Sequence, residues 1–165
     1  MSDHRPFIDA VLTYHPAPTD APDGLEWAVK SVRADLTTYQ RYQWPLPGNW
    51  VEADAVDDSN IGACPSRQGD GLCVATTTAG MASGGMPMRT MLLVGYRPED
   101  VLGRNERYGK WRVRRAYVGG LIDGEHLSRA NLSGADLSRA DLSDAYLSGW
   151  ERGPDGYAQR KEVSA

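Results

Sequence analysis

Apolar and polar positions along the 165 residues change period several times, and the changes mark the elements. FIDAVLTY, near the start, reads as a strand, and the Pro/Asp-rich HPAPTDAPDG after it cannot continue regular structure. In LEWAVKSVRADLTTYQ the residues Leu25, Trp27 and Val29 alternate, while Leu25, Val29, Val32 and Leu36 keep helical spacing. Both readings are open there, and a strand followed by a turn is preferred. WPLPGNW is a rigid turn whose two tryptophans can fold over it, and VEADAVDDSNIGACPSRQGDG is a short strand followed by a long polar loop. GLCVATTTAGMASGG gives a compact strand and then one or two helical turns, MRTMLLVGY a buried strand, and RPEDVLG a turn with a short helix. KWRVRRAYVGGLI is expected as a final strand, with apolar and basic residues alternating at Trp111, Arg112, Val113 and Arg114. Together these predict a strand-rich α+β domain over residues 1–119.

A different period follows. Leu127, Leu132, Leu137, Leu142 and Leu147 are five apart, with Ala130, Ala135, Ala140 and Ala145 two positions before the last four and Glu125 before the first. Ile122, preceded by Gly120, keeps the same phase, so the repeat is expected over 120–149, with a polar tail over 150–165. Residues five apart on a helix point about 140° away from each other, and odd spacing on a strand switches faces, so neither element aligns the leucines. A coil that turns a corner in each unit does, with leucine and the small alanine both inward.

ANLSG, ADLSR, ADLSD and AYLSG match the A(D/N)LXX pattern, and the segment resembles the pentapeptide-repeat family. The resemblance implies a short right-handed quadrilateral β-helix of about one and a half coils, its core formed by Ile122, Leu127, Ala130, Leu132, Ala135, Leu137, Ala140, Leu142, Ala145 and Leu147. So short a stack buries too little to offset the ordering of its own backbone, and it is expected to dock on the domain before it.

Glycine, proline, tyrosine and tryptophan are plentiful beside a single phenylalanine, which argues against an all-α fold. The net charge of −4 supplies no general attraction to phosphate polymers or anionic membranes, so nucleic acid is disfavoured as a partner. No run approaches the roughly 20 apolar residues of a membrane helix, and MSDHRPFIDA lacks a secretory core. The expected location is the cytoplasm, or the virion if the chain is phage-encoded. Cys64 and Cys73 are then expected as reduced thiols.

The loops GxxxxGK[ST], GxGxxG and GxSxG and the motifs HExxH and CxxC are all missing, and no catalytic residue, metal or cofactor is assigned. His4, His15 and His126 fall at expected surface positions, and Met81, Met86, Met88 and Met91 read as pliable packing before they read as a copper site. RNERYGKWRVRR is the one basic run, with six Lys/Arg against one Glu. Arg112, Arg114 and Arg115 are its candidate partner-binding residues, to be weighed against a solvated strand face paired with acids of the repeat. A pocket would show itself by Cys73, Met81, Tyr96 and Arg112 converging on one cleft.

The order GLCVAT then MLLVGY also resembles small phage and bacterial domains with a GLHVA or GFHAC core, for which the resemblance implies no activity. The same stretch resembles the middle of ADP-ribosyltransferases, which would imply an NAD-dependent enzyme. Cys73 stands there in place of an aromatic residue or histidine, and no catalytic glutamate is fixed. Some long pentapeptide-repeat proteins imitate DNA and shield topoisomerases, but here Asn131, Asp136 and Asp141 mix with Arg129, Arg139 and five serines, so no acidic stripe is expected. The preferred expectation is a non-catalytic protein-interaction or structural assembly module, acting on a protein partner or on a second copy of itself, with a phage-encoded or virion accessory protein as its finer form.

Overall fold

The computed structural model describes residues 5–38, 40–77, 80–81, 90–123, 150–155 and 158–160. The first element is a helix, α1 (Arg5–Tyr14), where a strand was expected. Phe7, Ile8, Ala10 and Val11 are all buried, a set of neighbours on a helix, whereas strand alternation would have put Asp9 on one face with Phe7 and Val11. The Thr13 hydroxyl donates to the Asp9 carbonyl at 2.8 Å, the His15 N–H closes the last turn on Val11 at 2.7 Å, and Pro16 follows.

Seven strands form one antiparallel sheet: β1 (Glu26–Val32), β2 (Trp50–Glu52), β3 (Leu72–Ala75), β4 (Thr90–Tyr96), β5 (Val101–Asn105), β6 (Lys110–Val113) and β7 (Arg115–Asp123), in the order β2-β7-β4-β1-β3-β6-β5. A separate hairpin pairs β8 (Trp150–Arg152) with β9 (Ala158–Arg160). The preferred strand in LEWAVKSV, the strands in GLCVAT and MLLVGY, and the short 3-10 helix in RPEDVLG (Pro98–Asp100) are all present. KWRVRRAYVGGLI is two strands instead of one, divided at Arg114.

That division shapes the sheet. Only Arg114 separates β6 from β7, yet β6 lies beside one edge strand and β7 beside the other, so the sheet must curl until its two edges approach. Arg114 joins them: its N–H donates to the Asp100 carbonyl at the start of β5, and its carbonyl accepts from the Ala53 N–H after β2, both at 2.8 Å. The inner face of the curl draws on all the strands, with Ala28, Val32, Val51, Leu72, Val74, Leu92, Val94, Val113 and Val118 in one buried cluster and Val101 packed against it. Leu36 and Trp44, from the connection between β1 and β2, close that cluster. On the outer face, Val29, Ala75, Met91, Leu93 and Ile122 pack under α1. β4 is apolar without interruption because it is buried on both faces.

Ile122 was assigned by phase to the repeat core. It instead lies fully buried in the outer cluster, because Gly120–Asp123 continue β7 in register with Leu93–Thr90 of β4. Asp123, the last residue of β7, is paired with Thr90. The remaining expected repeat-core residues, Leu127, Ala130, Leu132, Ala135, Leu137, Ala140, Leu142, Ala145 and Leu147, lie outside the described residues, as do Met86, Met88, His4 and His126.

Candidate functional site

The basic run does not form one surface. Arg112 alternates with Trp111 and Val113 of the inner cluster and so faces outward, where the loop of residues 54–71 covers it completely. Its Nη1 meets Asp70 Oδ1 at 2.6 Å, its Nε donates to the Gly62 carbonyl at 2.9 Å, and its Nη2 donates to the Asn60 carbonyl. Arg112 is therefore withdrawn from any partner-binding face. Arg114 remains half-exposed, 3.5 Å from Asp58, and Arg115 is held by Asp100 at 2.8 Å while its guanidinium lies 5.3 Å from the centre of the Trp50 ring. Arg97 lies 5.4 Å from the same ring, and Tyr117 meets it edge-on at 5.6 Å. The acids paired with these arginines come from the sheet's own loops.

Asp70 organises the covering loop. Its Oδ1 accepts the Asp57 N–H at 2.7 Å, and its Oδ2 accepts from the Asn60 side chain at 2.7 Å and from the Ser66 N–H and hydroxyl at 2.8 and 3.0 Å. Burial alone would raise the Asp70 pKa, but the hydrogen bonds from Ser66, Asp57 and Asn60 outweigh it and hold the carboxyl well below the usual range. Two glycines make the close approach possible. A methyl group on Gly103 would stand 2.1 Å from the Gly62 carbonyl oxygen, and one on Gly71, where φ is +84°, would stand 2.5 Å from Arg112 Cγ.

A cavity of about 410 Å³ opens beside this loop. It follows from an irregularity of pairing: β1 pairs with β4 along its whole length but with β3 at a single position, Val29↔Ala75. Beyond that position Lys30 and Ser31 on one side and Leu72, Cys73 and Val74 on the other line the gap. Lys30, on the same strand face as Ala28 and Val32 of the inner cluster, carries its Nζ 5.9 Å from the centre of the buried Trp44 ring. Burial pushes its pKa down and Lys110 lowers it further, against an opposing contribution from Cys73. Lys110 is buried and donates to Cys64 Sγ at 3.3 Å, while the Cys73 thiol faces the Ala63 carbonyl at 3.6 Å. The two cysteines are not joined.

Of the four residues whose convergence would mark a pocket, Cys73 and Met81 line this cavity. Arg112 is locked beneath its loop, and the Tyr96 hydroxyl donates to Glu26 Oε2 at 3.1 Å. Lys30 was missed because in sequence it is one polar residue inside an alternating strand. Met91 is fully buried in the outer cluster and Met81 nearly so, with the Ser31 hydroxyl 3.6 Å from its sulfur. Among the described residues no helix is long and apolar enough to cross a membrane, and no group of three or more His, Cys, Asp or Glu residues is placed to hold a metal ion.

The class so defined is a curled antiparallel sheet whose strand β7 leads directly into five-residue repeats. Residues 123–149 match the family model described as pentapeptide repeats (8 copies), and this segment is a pentapeptide-repeat segment. Neither the curated proteins nor the solved structures contain a match to the chain.

Proposed function

We propose that the protein is a non-catalytic interaction or assembly module in which the sheet domain carries, and closes one end of, the pentapeptide-repeat segment. Pentapeptide repeats typically serve as interaction or structural modules. The observation that carries the reading is the absence of any linker: Asp123 is both the last residue of β7, a strand held between β2 and β4, and the first residue of the matched segment. A repeat that starts on a hydrogen-bonded strand inherits that strand's position and presents its polar outward residues at a fixed place relative to the sheet. Its far end is the surface assigned to a protein partner or to a second copy, since unpaired backbone edges recruit further strands. A phage-encoded virion accessory is the finer form of this reading, motivated by the GLCVAT and MLLVGY stretches.

Light scattering of the full chain over a range of concentrations, combined with cross-linking, tests the reading. Concentration-dependent self-association, or a stoichiometric complex whose cross-links fall on residues 124–149, is the expected result. A chain that stays monomeric, forms no such complex and turns over a substrate overturns it.

A further inference from the structure

The gap between β1 and β3 has features that a structural cavity does not need. We propose that it is a binding site for a small molecule carrying one oxyanion group, a carboxylate or a phosphate monoester, on an apolar ring. The inference is independent of the assembly role of the repeats. Its volume of about 410 Å³ falls among small-ligand sites, which run from about 300 to 1,000 Å³.

Charge selects the ligand class. Two ammonium groups, Lys30 and Lys110, line the cavity, and among the described lining residues there is no carboxylate to balance them. Lys110 has the Cys64 sulfur as its partner, whereas Lys30 has only the face of Trp44, with no hydrogen-bond partner among the described residues. No buried side-chain nitrogen or oxygen is left unsatisfied among those residues, so the Lys30 ammonium must reach the open space of the cavity. An enclosed cation with spare donors and no counter-charge is costly in a resting protein, and it becomes favourable when an oxyanion enters. The remaining wall selects the body of the ligand. Trp44, Leu72, Val74 and Met81 are buried apolar residues on this cavity and offer a surface for a ring.

An anion beside Lys30 favours its charged form and so opposes the burial that lowers its pKa. Among the described residues, the titratable groups facing the same space are Cys64, Cys73, Tyr42 and Lys110.

Phenyl phosphate, benzoate and the neutral benzyl alcohol are titrated by calorimetry into the full chain and into Lys30→Met. Both anions, or one of them, should bind the native chain, and the tighter of the two names the oxyanion. Lys30→Met should weaken that binding about tenfold or more without lowering the melting temperature. The proposal is overturned if neither anion binds up to about 10 mM, or if benzyl alcohol binds within about twofold of the better anion. It is equally overturned if Lys30→Met binds that anion within about twofold of the native chain. If Lys30→Met does not fold, Lys30→Gln is used under the same criteria.

Discussion

Arg112 Nη1 and Asp70 Oδ1 stand 2.6 Å apart with both side chains wholly removed from water, and every further donor on this carboxylate comes from the loop that ends in Asp70 itself. The pair fastens residues 54–71 to the outer face of β6. Removing one partner strands the other charge in the interior. Asp70→Asn is therefore expected to cost about 3–5 kcal/mol, and Arg112→Met a comparable amount. The double variant Asp70→Leu/Arg112→Met should lose less than the sum of its two single changes, as urea unfolding monitored by circular dichroism would reveal.

The same carboxyl fixes a pH dependence. Its pKa is depressed in the folded chain, so its contribution to stability is complete above the usual carboxylate value of about 3.9 and is lost as the pH falls from there through the folded value. Acid unfolding of the native chain should steepen in that interval. In Asp70→Asn the extra slope should vanish, leaving the shallower dependence of the hydrogen-bonded Asp35 and Asp57, whose pKa values are also lowered.

Lys30 gives a slope of the same sign in the alkaline range, but it arises from a cost of burial where Asp70 makes a gain. Burial depresses its pKa, so between that lowered value and about 10.4 the unfolded chain binds more protons and stability rises with pH. Replacing the ammonium by the isosteric apolar chain of methionine removes the desolvation cost. Lys30→Met should stabilise the protein by on the order of 1 kcal/mol near neutrality and flatten the alkaline rise, both read from melting curves taken across pH. A loss of stability would mean that the ammonium has an anionic partner in the resting chain.

Gly103 and the Gly62 carbonyl test how closely the loop must sit. The added methyl of Gly103→Ala would meet that oxygen at 2.1 Å, and because the obstacle is backbone the loop has to lift. The expected cost is about 1–3 kcal/mol. Cys64, exposed yet tied to Lys110 from within the same loop, should react faster with a thiol reagent in this variant than in the native chain.

What could be read from the sequence divides along the range of the interaction. β4 announces itself because a strand buried on both faces needs no period, and the leucines after residue 123 because a five-residue spacing suits no ordinary element. The Arg112–Asp70 pair spans 42 positions and left no local trace. Its basic member instead passed for a solvent-facing residue, since alternation shows which residues share a face and not which face a later loop will cover. Lys30 was hidden for the same reason. α1 was misread because Phe7, Ile8, Ala10 and Val11 span barely more than one helical turn, too short a stretch for its period to stand out from apolar clustering. The cavity follows from one missing stretch of strand pairing, a property of the β1–β3 register that neither strand carries alone.

The junction at Asp123 decides how the sheet and the repeats depend on each other. A chain cut after residue 119 loses Ile122, which is fully buried beneath α1 beside Met91 and Leu93, together with four residues of β7 that pair with β4. Loss of that side chain alone would cost about 2–5 kcal/mol, a large part of a small domain's stability. A chain cut after residue 123 keeps both. If the sheet is a self-supporting base for the repeats, the 1–123 fragment should melt cooperatively with native-like near-ultraviolet dichroism, and the 1–119 fragment should aggregate. Equal collapse of both fragments would instead place the repeats inside the cooperative unit, so that the sheet needs the coil as much as the coil needs the sheet.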